Sequence, residues 1–398
     1  MSYNSLYKLF VMNDQSTFES YYKNRFESEA TIKFPFDINN NQAFIFMHND
    51  IISQLEILRE YDQRVDCAFK ALPTIARTQY IKKSLIDEIE FTNQIEGIIS
   101  TRKDINNVIE DIEKKSNKNN RLDGIVNRYK LLLDEKHLNI LDSKDIRNLF
   151  DTMLYNEIKK DNLKNLPDGK IFRKDIVNVL GNGEKIIHVG LTPEDKIIEY
   201  IDKALKILND KKINPYIRVA IFHYVFAYVH PFYDGNGRID RFISSYVLSK
   251  NYTPIIGYRL SMTIKENLSQ YYDAFKHTND IRNKGDISTF VYEFLDIVIK
   301  AYQKTELYVL DKKNTLDNFT NIIENLNLNK LESKILFVLV QCELFGGFGL
   351  SYNAIKDIVK CGRTSCITII SELRKKHLIK EIRNGKVLTF TADLNNIN

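Results

Sequence analysis

Apolar residues recur at three- and four-residue spacing along most of the chain, which is the pattern of amphipathic helices. One predicted helix lies within 49–61, where the apolar positions are Ile51, Ile52, Leu55 and Leu58. Pro73 separates it from a longer predicted helix over 78–99. We therefore expect residues 1–121 to form an N-terminal region of helices joined by short loops, and the chain as a whole to be mainly α-helical.

Strand-forming runs interrupt the helical pattern inside the second block, residues 122–307. Two such runs occupy 172–180 and 185–191. Between them lies Asn182-Gly183, a pair typical of type I′ turns because both central residues of that turn need a positive φ. The sequence therefore predicts a β-hairpin within an otherwise helical core.

The most apolar helix of this block is predicted to begin at Asn214-Pro215, a capping residue followed by a first-turn proline. Apolar side chains surround its axis as far as Val229, whereas a surface helix is apolar on one face only. We therefore expect a buried central helix, with the residues after Val229 held rigidly at its end.

The C-terminal block, residues 331–398, has a different order of elements. Its predicted elements are helices over 351–359 and 363–377 and a hairpin over 378–383 and 386–391, turned at Asn384-Gly385. Helix, turn, helix and hairpin in this order predict a winged helix-turn-helix. Residues 308–330 are predicted to link this block to the core.

Composition narrows the class of protein. The chain has 398 residues, of which 43% are hydrophobic and 27% charged, a balance that excludes a disordered chain and a cysteine-stapled miniprotein. Its longest strongly apolar run, 335–340, is far shorter than a membrane span needs. The four cysteines form no CxxC pair. We expect a cytoplasmic protein with reduced thiols and no membrane contact.

The segment that points to chemistry follows the predicted central helix directly and reads HPFYDGNGRIDR, residues 230–241. Gly235-Asn236-Gly237 can turn tightly and expose backbone N–H groups without obstruction by a Cβ atom. Because a new helix is predicted over 242–248, these N–H groups are expected near a helix N-terminus, where anions bind. The turn is therefore a candidate phosphate cradle.

Four side chains around this turn add the other groups that phosphate chemistry needs. Arg238 and Arg241 are three residues apart, on nearly one side of the first turn, and can pair with phosphate oxygens. Asp234 is a hard oxygen ligand suited to Mg²⁺. His230 can accept a proton near neutral pH. Together they predict a phosphoryl-type transfer site, in which positioning and charge stabilisation dominate.

Residues 230–241 resemble the HPFx(D/E)GNGRxxR signature of the Fic (Fido) family and match it at every defined position. The resemblance covers about 122–307 and implies the Fic fold, a helical core with a hairpin flap at 172–191. It also implies a protein adenylyltransferase that uses Mg²⁺ and moves AMP from ATP to a Ser, Thr or Tyr hydroxyl of a target protein. Asp234 favours AMP transfer over the family branches that transfer phosphate or phosphocholine.

The same resemblance implies a role for each residue of the signature. His230 is expected to deprotonate the target hydroxyl, and Asp234 to hold Mg²⁺. Arg238 corresponds to the contact with the β-phosphate, and Arg241 to the contact with the γ-phosphate. The residues that correspond to the anion hole for the α- and β-phosphates are Gly235, Asn236 and Gly237.

Four more residues match family positions outside the signature. Tyr272 and Asn279 correspond to positions that contact the nucleoside. Val177 and Val179 correspond to positions that line the nucleotide pocket. The resemblance also implies that the flap holds the target segment as an added strand.

A second motif precedes the core. Thr92 and Glu96 are four residues apart, hence on one helix face, and Gly97 can end the helix. The segment resembles the inhibitory (S/T)xxxE(G/N) motif of the family's second class. This resemblance implies that Glu96 pairs with Arg241, occupies the place of the γ-phosphate and restrains transfer. In some family members the same glutamate positions a water that removes AMP, so AMP removal is a second expectation.

The basic C-terminal block supports an alternative class, a DNA-binding regulator or interaction module. Residues 330–398 contain 11 Lys and Arg against 6 Asp and Glu, and so carry the whole net charge of +5. The other interpretation of this block is that it docks targets or pairs subunits, and family resemblance suggests a homodimer. The Lys-, Ile- and Asn-rich composition suggests a bacterial source. The candidate DNA-facing residues are Arg363, Thr364, Ser365, Thr368, Arg374 and Lys375.

Overall fold

A computed structural model describes residues 3–114, 120–134, 138–180, 186–384 and 387–397. The turns predicted at Asn182-Gly183 and Asn384-Gly385 lie wholly or partly outside these residues. The described chain is mainly α-helical, as expected. In chain order its helices are α1 Leu6–Met12, α2 Gln15–Phe26, α3 Asn49–Lys70, α4 Thr74–Ile95, α5 Arg102–Glu113, α6 Asp123–Lys130, α7 Ser143–Met153, α8 Tyr155–Asp161, α9 Glu194–Asn209, α10 Pro215–Val229, α11 Asn236–Asn251, α12 Leu260–Glu266, α13 Leu268–Thr278, α14 Ser288–Asn325, α15 Lys330–Phe345, α16 Tyr352–Val359 and α17 Arg363–Lys375.

The strands form antiparallel pairs that are consecutive in the chain, so each pair is a hairpin of its own. They are β1 Thr31–Ile38 with β2 Asn41–Phe46, β3 Asn178–Leu180 with β4 Ile186–Val189, and β5 Ile379–Asn384 with β6 Val387–Ala392. The middle hairpin is the one predicted between 172 and 191, and its strands are shorter than the sequence suggested.

Two compact units divide the chain differently from the predicted boundaries. One unit comprises residues 1–62 and 86–302, and the other comprises 63–85 and 303–398. The segment 308–330, predicted as a linker, is largely helical because α14 continues as far as Asn325. In the part of the chain that the structure describes, no helix has both the length and the apolar character that crossing a membrane requires.

The central helix of the first unit is α10, and it is buried on nearly all sides, as predicted. Asn214 caps it by accepting a hydrogen bond from the Tyr216 N–H at 2.9 Å, and Pro215 occupies the first turn. Helices α9 and α11 pack against it. The helix ends at Val229, and its apolar surface therefore fixes where the following residue, His230, begins.

A hairpin lies near the N-terminus, where the sequence analysis predicted helices. Strands β1 and β2 turn at Asn39 and Asn40, which have φ values of +49° and +62°. Asparagine tolerates this left-handed region better than most residues. Alternate side chains of β1 point inward, so the period-two pattern of Phe34, Phe36 and Ile38 was the signal in the sequence.

The second unit contains the helix, helix and hairpin order predicted for the C-terminal block. Asn329 and Glu332 form a capping box at the start of α15. Ser351 caps α16 through the Ala354 N–H, and α16 ends at Lys360 in the left-handed conformation. Helix α17 and the β5–β6 hairpin follow. The assignment of this unit to DNA binding stays a prediction.

We predict that Phe44→Ala lowers the free energy of unfolding by about 3–5 kcal/mol, because it empties a buried site in the core. Phe44 is fully buried, and its ring packs edge-on against Phe26 at a centroid distance of 5.2 Å. Chemical denaturation monitored by circular dichroism measures the loss.

The control for this prediction is Ile32→Ala, on the paired strand, because the Ile32 side chain is 39% exposed. Its expected loss is well under about 1 kcal/mol, since exposed positions contribute little. Equal losses for the two variants would contradict the placement of Phe44 in the core.

Candidate active site

The turn between α10 and α11 sets the geometry of the site. His230 follows α10 with φ +54°, and Gly235 precedes α11 with φ +82°, both in the left-handed region. Helix α11 begins at Asn236, six residues before the predicted start. The N–H groups of Asn236, Gly237 and Arg238 therefore lie in the first turn of a 16-residue helix, whose positive end attracts anions.

The side chain of Asn236 explains why the helix starts this early. Its Oδ1 accepts a hydrogen bond from the Phe232 N–H at 2.9 Å, and its Nδ2 donates to the Phe232 carbonyl at 2.8 Å. The Phe232 ring is fully buried between Phe150 and Phe172, with centroid distances of 4.3 and 5.3 Å. The Asn236 side chain is engaged in closing the loop. Only its backbone N–H is therefore available to an anion.

Gly237 lets a carboxylate approach the first turn of α11 closely. A Cβ atom at this position would overlap Glu96 Oε1 and crowd Arg241 Nη1. The Glu96 carboxylate therefore lies on the helix N-terminus, at the place where the sequence predicted an anion. A residue larger than glycine would not leave room for it.

Arg241 joins the predicted inhibitory residues to α11. Its Nη2 donates to Glu96 Oε1 at 2.8 Å and to the Thr92 carbonyl at 3.0 Å, and its Nε donates to Thr92 Oγ1 at 2.8 Å. Burial alone would raise the pKa of Glu96 and lower that of Arg241. Their mutual attraction outweighs burial, so the pKa of Glu96 is lowered and that of Arg241 is raised. Gly97, with φ +73°, follows directly.

Arg238 has a partner that the sequence analysis missed. Its Nη1 donates to Glu157 Oε2 at 3.1 Å, and both side chains are only 1% exposed. Arg238 Nη2 also lies 3.5 Å from Asp234 Oδ1. Burial raises the pKa of Glu157, although the Arg238 charge opposes this shift. No local pattern marked Glu157, which lies 81 residues from Arg238 on α8.

The His230 imidazole is neutral over most of the physiological range. Burial and the nearby Arg173 cation lower its pKa to about 4, while Glu96 acts in the opposite direction. A neutral imidazole has a free lone pair on one ring nitrogen and can accept a proton. This is the protonation state that the predicted role as a base requires.

The residues predicted to contact the nucleotide base and sugar are more dispersed. Val177 accepts a hydrogen bond from the Gly190 N–H at 2.9 Å through its carbonyl, and Val179 pairs with His188 across the hairpin. The Tyr272 side chain is 47% exposed. Asn279 Oδ1 accepts from the Tyr224 hydroxyl at 2.7 Å, so this side chain is engaged by α10. Their roles toward a nucleotide stay predictions.

Glu88 lies one turn before Thr92 on the same face of α4, and the sequence analysis missed it. Its carboxylate accepts from the Ser261 N–H at 2.9 and 3.0 Å and from the Ser261 hydroxyl at 2.6 Å. The Ser245 hydroxyl donates to it at 3.2 Å. Burial raises the pKa of Glu88 to about 7 in spite of these bonds. The four-residue spacing of 88, 92 and 96 was visible in the sequence.

The described geometry defines a helical protein in which a carboxylate side chain lies on the turn between two packed helices. A family model described as "Fic/DOC family" matches residues 140–248. The crystal structure of a Fic family protein from Desulfovibrio desulfuricans G20 has the same fold, with a TM-score of 0.52 and 17% identity, covering 91% of this chain and 99% of that one. The fold is therefore that of a Fic family protein, and residues 140–248 are the part of the chain that matches the family model.

Two curated relatives are similar over a shorter stretch. Protein adenylyltransferase Fic of Drosophila ananassae is 30% identical over 137 residues, or 34% of this chain and 24% of that protein. The protein of the same name from Drosophila mojavensis is 31% identical over 137 residues, with the same shares. This chain therefore spans about a quarter of the length of these relatives.

Glu88 generates a prediction about pH. With a pKa of about 7 in the folded state, against 4.5 ordinarily, the folded chain holds a proton that the unfolded chain has lost between these values. The contribution of Glu88 to stability is thus complete below about pH 4.5 and is lost as the pH rises toward 7. The free energy of unfolding of Glu88→Gln should therefore increase relative to that of the wild type, by on the order of 3 kcal/mol, as the pH rises over this range.

The measurement is the free energy of unfolding of both chains at several pH values from 4.5 to 7.5. Glu56→Gln, at an exposed position of α3, controls for the loss of a carboxyl group as such. A difference between wild type and Glu88→Gln that stays constant with pH would show that Glu88 carries no proton in the folded chain.

Proposed function

We propose that this chain is a protein adenylyltransferase that transfers AMP from ATP to a Ser, Thr or Tyr hydroxyl of a target protein and of itself. We further propose that Glu96 restrains this transfer. The observation that carries the proposal is the pair formed by Arg241 and Glu96 on the N-terminal turn of α11, 2.8 Å apart. A carboxylate bound at this place is chemically similar to a phosphate oxygen.

In the proposed reaction His230 acts as the general base. The neutral imidazole takes the proton of the target hydroxyl, and the oxygen attacks the α-phosphorus of ATP. A new P–O bond forms, the bond to the β-phosphate oxygen breaks, and pyrophosphate leaves. The N–H groups of Asn236 and Gly237 stabilise the phosphate charge at the helix N-terminus, and that of Gly235, which donates to Asp234 Oδ1 in this structure, would join them once Asp234 turns to Mg²⁺.

The two arginines bind the rest of the triphosphate, Arg238 at the β-phosphate and Arg241 at the γ-phosphate. Asp234 is the residue that would hold Mg²⁺. Its side chain is 36% exposed beside the turn, and Mg²⁺ is commonly held by one or two carboxylates together with substrate phosphates, so the donor set fits. The ion, when bound, would neutralise phosphate charge. Among the described residues no cluster of three or more His, Cys, Asp or Glu suits a protein-only metal site.

The brake follows from competition for Arg241. While Glu96 holds Nη2 and covers Gly237, a γ-phosphate cannot reach the same guanidinium, and ATP would bind in a non-productive pose. Removal of AMP by a water that Glu96 positions is an alternative use of the same carboxylate. A homodimer stays a prediction.

We predict that Glu96→Gly increases AMP incorporation at least tenfold, because Arg241 becomes free to bind the γ-phosphate. We expect His230→Ala to abolish incorporation even when combined with Glu96→Gly, because no base remains. The measurement is transfer of label from α-³²P-ATP with Mg²⁺ to the purified chain and to lysate proteins, followed by mass mapping of modified residues.

Glu90→Gly is the matched control, since it removes a glutamate from the same helix that lies beside Arg102, at 3.6 Å, rather than Arg241. It is expected to leave incorporation near the wild-type level. Should Glu96→Gly be no more active than the wild type, the proposed brake is wrong. Absence of incorporation in every variant would contradict the transferase itself.

A second candidate function is DNA binding through α17, favoured by one observation. All six of the predicted DNA-facing residues are exposed on the surface of the second unit. Two of the basic ones have acidic neighbours, however: Arg374 lies 2.6 Å from Glu381 and Lys375 lies 3.1 Å from Glu372. Arg363 at the first turn of α17 is therefore the strongest candidate for a phosphate contact.

A mobility-shift titration with duplex DNA at several salt concentrations tests this candidate. If α17 binds DNA, Arg363→Ala should weaken binding and reduce the slope of log Kd against log salt by roughly one, as the loss of one phosphate contact does. Lys313→Ala, on α14, is the control. Absence of salt-sensitive binding to any duplex would remove the DNA interpretation.

A further inference from the structure

Arg173 is a fully buried arginine that binds only backbone carbonyls among the described residues. Its Nε donates to the His230 carbonyl at 2.8 Å. Its Nη2 donates to the carbonyls of Leu191 at 2.9 Å and Val229 at 3.3 Å, and its Nη1 donates to that of Asp175 at 2.6 Å. A buried guanidinium normally binds a carboxylate, so this arrangement calls for a reason.

These carbonyls belong to two different parts of the fold. Asp175 precedes β3 and Leu191 follows β4, so one guanidinium spans both ends of the flap hairpin. Val229 and His230 form the C-terminal end of α10, whose last carbonyls have no partner within the helix. A cation is favourable there because it complements the helix dipole. Arg173 thus connects the base of the flap to the turn that bears the imidazole.

Gly190 provides a second, independent sign that this contact is built into the fold. A Cβ atom on Gly190 would overlap Arg173 Nη2 and lie 3.1 Å from His230 Cβ. The φ of Gly190 does not itself require glycine, since it is not among the positive values. Glycine is needed here because the Arg173 fork and the His230 side chain both lie against its backbone.

We propose that Arg173 is a positioning residue for AMP transfer, which fixes the His230 backbone relative to the flap. The proposal rests on the proposed function, in which the flap carries the target segment and His230 takes its proton. The rigid fork of the guanidinium would keep the His230 imidazole at a fixed distance from the target hydroxyl. A lysine at this position would supply the charge without the fork.

The charge of Arg173 has a separate consequence. The groups that face His230 are Arg173 before β3, Glu96 after α4 and His188 on β4. After burial, Arg173 is the largest cause of the lowered pKa of His230, while Glu96 opposes it. Loss of this cation should therefore raise the pKa of His230. Loss of the fork and loss of the charge can be separated by experiment.

The test uses the full chain with Glu96→Gly as the parent, and label incorporation from α-³²P-ATP over a pH range that begins below the His230 pKa of about 4 and extends to 8. Arg173→Lys should lower incorporation at every pH by roughly tenfold to a hundredfold, without moving the acidic limb of the profile. Arg173→Gln should lower it similarly and also move that limb to higher pH, because the imidazole protonates more readily. ATP affinity, measured by calorimetry, should be unchanged in both.

Arg218→Gln is the matched control, because Arg218 is also a buried arginine, at the other end of α10, and also binds a backbone carbonyl, that of Asp210 at 3.2 Å. It is expected to change stability but not the pH limb. A limb that moves equally in Arg218→Gln, or an Arg173→Lys variant as active as the parent, would overturn the proposal.

A readout without turnover separates this proposal from the proposed function. The ring ¹³C signal of His230, assigned by its loss in His230→Ala, is titrated by NMR in the wild type, Arg173→Lys and Arg173→Gln. A raised midpoint in the Gln variant alone supports the coupling of Arg173 to His230 even if the parent incorporates no label, an outcome that would refute the transferase but not this coupling. If Arg173→Gln does not fold, the rate of Arg173→Lys decides. Identical midpoints and rates in all chains would refute the role of Arg173.

Discussion

Burial of the Arg241 guanidinium is the constraint on which the site depends. At 1% exposure this group has lost nearly all of its hydration, and burying such a charge costs free energy unless an opposite charge lies beside it and its donors are engaged. Glu96 and Thr92 meet both conditions in this structure. An anion that displaces Glu96 must meet the same conditions. A phosphate at the N-terminus of α11 would do so, because it carries negative charge and its oxygens accept hydrogen bonds. In the proposed function, restraint and nucleotide binding are therefore two ways of satisfying one requirement.

The face of α4 that carries Glu88, Thr92 and, just beyond the helix, Glu96 is fixed more firmly at one end than at the other. Glu88 and Thr92 are fully buried, and the carboxylate of Glu88 is surrounded by donors from Ser261 and Ser245. Glu96 lies beyond the last helical residue, and its side chain is 26% exposed. Local opening requires less free energy at such an end than in a packed interior. Release of Glu96 is thus expected to involve the end of α4, while Glu88 keeps the rest of the helix in place.

Short-range patterns in the sequence predicted the central helix, the flap hairpin and the spacing of Thr92 and Glu96, because each depends on residues close together in the chain. They also identified the residues of the 230–241 turn, although not the early start of α11, which depends on the bonds between Asn236 and Phe232. The β1–β2 hairpin was missed since the helical pattern around it dominated. Arg173 could not be recognised as a partner of His230, because 57 residues separate them and only the packed fold brings them together.

The two arginines of the turn differ in what holds them. Arg238 pairs with Glu157, which lies within α8 and is as buried as the arginine itself. Arg241 pairs with Glu96, which is followed by a glycine in the left-handed conformation at the end of a helix. A carboxylate fixed within a packed helix orients its arginine permanently, whereas one at a helix end can leave without disturbing the core. Exchange of anions is therefore expected at Arg241, while Glu157 keeps Arg238 in a fixed orientation beside the turn.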